Sequence, residues 1–381
     1  MSKTNRIITL ETLRAFAFIG VMVSHSGISV LNGFGGLSVS IFLILCGFVS
    51  VYSQYEKKIT PSLTNNIKYA FNKIRKLYPL HVFMTILALV FCFVGDEVEP
   101  LFNILIKLIL NLLLVQEWFP INGRSINGVS WYLCVMILFY FVFPYFLSRM
   151  KQSYSVSKAK RNICVLFIFQ IIIGIIGYLI ATIEVKNDFS IVRNTTQWII
   201  YYHPISRLVD MVIGCNLGYI FLQNKVKQVK KATIKEAVTI LFAIFDVIIY
   251  ALLVYRCEYY AYGASLTGKE MWWSYVLLFT PISMLLVYLF ACGQGKITHF
   301  LSNKFILYFA KISSTGFLIH QNIFHYIDAV IILIYGNEGR IFTQKYSVFL
   351  KLSLGIVLTI ICCEIWNKYF SKKIDMNADN N

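Results

Sequence analysis

Apolar runs of close to membrane-spanning length recur along the chain, and charged positions gather in the short stretches between them. Candidate spans cover about residues 7–28, 37–53, 79–95, 101–116, 130–147, 162–183, 201–222, 237–255, 271–291, 304–334 and 346–366. A bilayer core takes a helix of about 20 mostly apolar residues. A membrane β-barrel would read as short alternating segments, and that pattern is missing here. The periodicity predicts an all-α polytopic membrane protein forming one integral membrane domain over residues 1–381. No soluble domain, low-complexity tract or clear internal repeat is visible.

Charge placement changes the count. Basic residues concentrate at the N-terminus, in 57–76, in 149–161, in 225–235 and in a tail, about 367–381, with Lys368, Lys372 and Lys373. Short Lys/Arg-rich loops stay cytoplasmic, yet eleven crossings would put 149–161 and 225–235 outside. If 101–116 does not cross, every basic loop returns to one side. That segment is short and follows the acidic "GDEVEP". The expectation is about ten transmembrane helices plus one short re-entrant or interfacial helix, with both termini cytoplasmic. The alternative is that two short segments share one crossing. Glu11 and Arg14 interrupt the first apolar run and no small-residue cleavage site follows, so it reads as a first span rather than a cleaved signal peptide.

Composition fits this picture. The chain is 58% hydrophobic and 14% charged, against about a quarter charged in soluble domains. The net charge of +17 is accounted for by topology and predicts no nucleic-acid partner. The nine cysteines lie mostly inside apolar segments without paired spacing. They read as small apolar residues, with no disulfide framework and no metal site.

The polar residues inside spans carry the chemistry. In "ETLRAFAFIGVMVSH", the eleven steps from Arg14 to His25 make about three helical turns, which aligns them on one face ~16 Å apart. Ionisable groups in hydrocarbon are costly and tend to face polar interiors. Arg14 snorkelling to the headgroups and an interfacial, hydrogen-bonded His25 are the plainer alternatives. Glu11, one turn before Arg14, is placed to orient it. Arg207 and Asp210 are spaced i,i+3 for pairing, as a structural ion pair or as an acceptor-side group. His203 and His325 read as structural. His320 and Trp131 fall toward the outer side, as do Trp118, Trp198, Trp272 and Trp273; an aromatic belt explains most of these tryptophans. Lys73, Arg75 and Lys76, before a span opening at Pro79, read either as topology charge or as an anion site. Gly33, Gly35 and Gly36 read as a tight outer turn, and Gly47 as a close helix contact.

These pieces, in this order, resemble the membrane acyltransferase-3 family of bacterial sugar O-acyltransferases. "LRAFAFIGVMVSH" is similar to its Arg, ten residues, His signature at Arg14 and His25. "GGLSVSIFLILCGF" resembles its second-span motif, with Cys46 where serine is usual. "KIRKLYP" resembles its R-x-x-R-I-x-P, with Lys73 and Lys76 replacing arginines. "SWYLCVMILFYFVFP" resembles its W-Y-L span but lacks the glutamate many members carry. "ISRLVDMVIGCNLG" matches at Arg207, Asp210, Gly214 and Gly218, and "KISSTGFLIHQN" ends on the motif's His320.

The resemblance implies acyl transfer, usually acetyl, from cytoplasmic acyl-CoA to a carbohydrate hydroxyl, with acyl-CoA as donor substrate and no bound cofactor. It implies an acceptor such as O-antigen, capsule, exopolysaccharide, peptidoglycan or a lipid-linked saccharide, and residence in the bacterial cytoplasmic membrane. Some members carry a fused periplasmic esterase-like domain; none is expected here, so a second step would need another protein. Arg14, Lys73, Arg75 and Lys76 would dock the phosphates of coenzyme A. His25 would act as general base, or as nucleophile through an acyl-imidazole. Ser130, Trp131 and His320 fall on the acceptor side. The competing reading is a transporter or flippase of a glycan precursor, but the paired broken helices of such proteins are not seen.

Overall fold

The computed structural model describes residues 7–27, 31–93, 100–119, 126–187, 198–224, 231–260, 273–345 and 348–371. The basic N-terminus, "GDEVE", Trp272, Lys372 and Lys373 lie outside the described residues. The described residues form thirteen α-helices: α1 Ile8–Ser24, α2 Asn32–Gln54, α3 Leu63–Ile74, α4 Tyr78–Ala88, α5 Leu101–Leu112, α6 Trp131–Gln152, α7 Val156–Asn187, α8 Pro204–Gln223, α9 Ala232–Tyr260, α10 Thr280–Cys292, α11 Lys296–Leu301, α12 Lys304–Lys345 and α13 Val348–Trp366. Among the described residues no strand occurs. Among the described residues eight helical segments are long and apolar enough to cross a membrane, and a bent pair, Leu63–Ile74 with Tyr78–Cys92, makes up to nine. The chain is an all-α, multi-pass membrane protein.

α1, at 17 residues, is about 25 Å long and packs inside the bundle. Counting it as well would bring the candidate crossings among the described residues to ten. The directions of packed helices test that number. Cys46 meets Tyr140 at 3.5 Å and Phe42 meets Tyr132 at 6.5 Å between ring centroids, so α2 and α6 run the same way. Asn322 donates to the Met84 carbonyl at 2.9 Å and Tyr326 to that of Leu87 at 2.7 Å, so α4 and α12 also run together. A crossing α5 would set α6 against α2. α5 is only 12 residues, about 18 Å, and its last turn is held at α4. There Tyr78 donates to the Leu112 carbonyl at 2.9 Å and His81 Nε2 meets the Asn111 carbonyl at 2.9 Å. It enters the bundle without traversing it.

Two sequence expectations are corrected. Residues 57–76 are not a plain basic loop, because α3 occupies 63–74, capped by Ser62 Oγ accepting from the Asn65 N–H at 3.2 Å. Its buried stripe is only Asn66, Ala70 and Ile74, too short to stand out as an apolar run. Gly33, Gly35 and Gly36 make no turn. They lie in the first turns of α2, where a methyl would strike Tyr250, Ser24 and the ring of Phe279 respectively. Their smallness admits neighbours rather than bending the chain.

The tightest contact joins α2 to α8. A methyl on Gly47 would collide with the Met211 carbonyl, and one on Gly214 with that of Ile44. Small residues let helix backbones approach this closely in membranes. Near the start of α9, buried Glu236 caps α11. Its carboxylate accepts from the N–H groups of Gly295 (2.9 Å), Ile297 (3.2 Å) and Thr298 (3.2 Å) and from the Thr298 hydroxyl (2.8 Å). Removing it strands buried donors at about 1–3 kcal/mol each. Glu236→Ala is therefore expected to lower the unfolding temperature in detergent by several degrees. An unchanged temperature would contradict this role.

Candidate active site

The centre forms where α1 ends against the middle of α12. His25 terminates α1, and its Nδ1 lies 2.9 Å from the Val21 carbonyl and 3.3 Å from Ser24 Oγ. His320, fully buried, places Nε2 3.4 Å from His25 Nδ1. The rings meet edge to face at 4.9 Å between centroids. His320 Nδ1 lies 3.1 Å from the Gly316 carbonyl. A carbonyl only accepts, so each Nδ1 carries the proton in neutral rings. That assignment follows from the network. It makes His320 Nε2 an acceptor facing His25 Nδ1–H, and puts the His25 lone pair on Nε2. The Val21 carbonyl thus fixes the His25 tautomer, and His320 faces the same N–H as a second, longer acceptor.

Arg14 sits on the same helix, its side chain 35% exposed. It donates through Nη2 to Ser314 Oγ and stands 3.9 Å from Glu11 Oε2. Arg14 meets Ser314, Phe18 packs against Gly316, and His25 meets His320. Numbers rise together on both helices, so α1 and α12 run parallel and both ends of the polar stripe are read by one partner. A cavity of about 70 Å³ lies beside Arg14, bordered by Phe42, Tyr132, Ser314 and Phe317.

In the basic cluster, Lys73 is exposed, and its ammonium lies over the rings of Tyr69 (5.4 Å) and Tyr140 (5.9 Å). Arg75 is half-buried and Lys76 exposed.

Other expected site residues are held elsewhere. Arg207 and Asp210 pair at 3.1 Å, 3% and 0% exposed. Asp210 also accepts from Gln170 at 2.7 Å and Thr280 at 3.2 Å, and the guanidinium lies 5.2 Å from the Tyr201 ring. The pair ties α7, α8 and α10 together. Ser130 is buried among Asn111 and Gln116, 3.4 Å from each. Trp131 is 4% exposed and packs on Tyr201 and Tyr202, inside the bundle rather than in a lipid-facing belt. His203 is flanked by Trp118 and Trp198.

The sequence reading missed Ser314, although it lies six positions before His320 in a segment already singled out. It also missed Glu117, between α5 and α6. Burial pushes the Glu117 carboxyl up to about 8, so it is mainly uncharged at neutral pH. Trp198 donates to its backbone carbonyl at 2.9 Å. Nothing in the local sequence marked it as buried.

The acyltransferase-3 family model, described as an acyltransferase domain, matches residues 7–365. The chain is similar to the O-acetyltransferase OatA of Staphylococcus aureus (strain NCTC 8325 / PS 47), 22% identical over 377 residues that cover 96% of this chain and 56% of the relative. It is similar to the acyltransferase MdmB of Streptomyces mycarofaciens, 27% identical over 238 residues covering 56% and 57%. It is also similar to the peptidoglycan O-acetyltransferase OatA of Listeria monocytogenes serovar 1/2a, 26% identical over 275 residues covering 68% and 41%. The chain spans about half the length of these curated relatives. No solved structure matches it.

Proposed function

The chain belongs to the acyltransferase-3 family, and on that premise we propose that it moves an acyl group, acetyl above all, from cytoplasmic acyl-CoA to a hydroxyl of a cell-surface or lipid-linked carbohydrate. It works in the bacterial cytoplasmic membrane with both termini inside. The observation that carries this reading is the contact between His25 and His320 at the end of a helix whose other polar residue is Arg14. Similarity to proteins named O-acetyltransferase and peptidoglycan O-acetyltransferase favours acetyl as the group and a wall glycan as the acceptor.

The chemistry is direct transfer. His25 Nε2 takes the proton of the acceptor hydroxyl as its oxygen attacks the thioester carbonyl. The carbon–sulfur bond then breaks, and the coenzyme A thiolate leaves and is protonated. Proton transfer of this kind contributes about 10²–10⁴-fold to rate. His320 supports the orientation of His25 beside the Val21 carbonyl that sets its tautomer, as the third member of a hydrolase triad orients its base. On the cytoplasmic side, Arg14, Lys73, Arg75 and Lys76 attract the donor's phosphates. Arg14 is held in place for this by Ser314 and Glu11.

The test is a donor titration on membranes holding equal amounts of wild type and Arg14→Ala. The expected result is a KM for acetyl-CoA raised about tenfold or more, the size of one lost charge-assisted contact. Unchanged donor KM and kcat would remove Arg14 from donor binding.

A further inference from the structure

Between the Arg14 end and the histidine end of the stripe, three aromatic rings meet. Phe42 of α2 lies 5.9 Å from Phe317 of α12, Phe317 lies 5.2 Å from Tyr132 of α6, and Tyr132 lies 6.5 Å from Phe42. All three border the cavity beside Arg14. Phe317 continues upward, its ring 5.8 Å from that of His320. At about 70 Å³ the space is far below the ~300 Å³ at which ordinary ligand pockets begin. Three separate helices supply the rings, in edge and tilted contacts of the favoured kind.

We propose that Phe42, Tyr132 and Phe317 form the acyl-selecting constriction of this enzyme, passing acetyl and excluding longer acyl groups. The inference rests on the donor reading given above. A donor reaching His25 from the Arg14 side brings its acyl group first through these rings, and its thioester must then lie against them. Two further methylenes have no room there. Discrimination of about 10–200-fold per methylene is typical of a tight apolar pocket. Succinyl carries the same two extra carbons plus a terminal carboxylate, which the narrow space likewise has no room for.

The experiment compares acetyl-CoA, butyryl-CoA and succinyl-CoA as donors to the host's surface glycan. It uses membranes with matched amounts of wild type, Phe42→Ala, Phe42→Leu and Phe317→Ala. Wild type is expected to transfer acetyl at least about tenfold better than butyryl or succinyl. Both Phe42 variants and Phe317→Ala are expected to raise the butyryl-to-acetyl ratio, with Phe42→Leu between wild type and Phe42→Ala. Phe42→Leu keeps the site filled if the alanine variants do not fold. Acetyl transfer that persists with an unmoved ratio in the folded variants overturns the constriction alone. Equal use of all donors by wild type does the same. No transfer from any donor by wild type overturns the donor reading, and the constriction with it.

Discussion

Replacing His25 with alanine is expected to lower acyl transfer by about 10²–10⁴-fold, the usual contribution of a general base, in protein that still inserts and folds. His25 caps α1 at the edge of the packed bundle, half-buried, and its own backbone amide still bonds to the Val21 and Met22 carbonyls. Truncation therefore removes the imidazole with little cost to the helix. His320→Ala is expected to cost less, about tenfold, because the Val21 carbonyl still holds His25 Nδ1–H at 2.9 Å. Initial rates at saturating acetyl-CoA, normalised to protein in the membrane, check both. Equal losses would make His320 an equal participant rather than an orienting partner.

A large structural effect is expected at Gly214, as at Gly47 opposite it. Helix propensity alone favours alanine over glycine by about 1 kcal/mol. A methyl at Gly214 meets the backbone carbonyl of Ile44, which cannot move without displacing α2. Overpacking of this kind costs about 1–3 kcal/mol where side chains can adjust, and more is expected where backbone blocks the atom. Gly214→Ala should therefore destabilise the protein, against the propensity trend. Gly218→Ala should do less, because its methyl would stand 2.8 Å from the Phe48 carbonyl. Detergent-extracted protein eluting as a monodisperse peak, followed against temperature, reads the difference. A Gly214→Ala variant as stable as wild type would show that α2 and α8 are free to part.

Helical periodicity was enough to align Arg14 with His25, and charge asymmetry was enough to remove segment 101–116 from the crossings. Both signals are local or additive along the chain. The pairing of His25 with His320 spans 295 positions and depends on α1 and α12 running parallel, which no local pattern carries. Arg207 and Asp210 announced their own pairing by spacing. Gln170 and Thr280, which complete the shell of Asp210, come from two other helices. The glycines before Leu37 show a different limit. A turn and a close helix contact ask for the same residue, and only the neighbours, Tyr250, Ser24 and Phe279, separate them. α3 was hidden because an amphipathic helix of 12 residues among lysines resembles a basic loop.

The central claim is that this membrane domain carries an acetyl group from coenzyme A to a glycan hydroxyl through His25. The most direct measurement supplies radiolabelled acetyl-CoA and the host's surface glycan to membranes holding wild type or His25→Ala, and follows label into base-labile glycan esters. The account predicts ester label with wild type and background label with His25→Ala. Equal label in both would contradict the role of His25, and no label in either would contradict transfer from acetyl-CoA to this glycan.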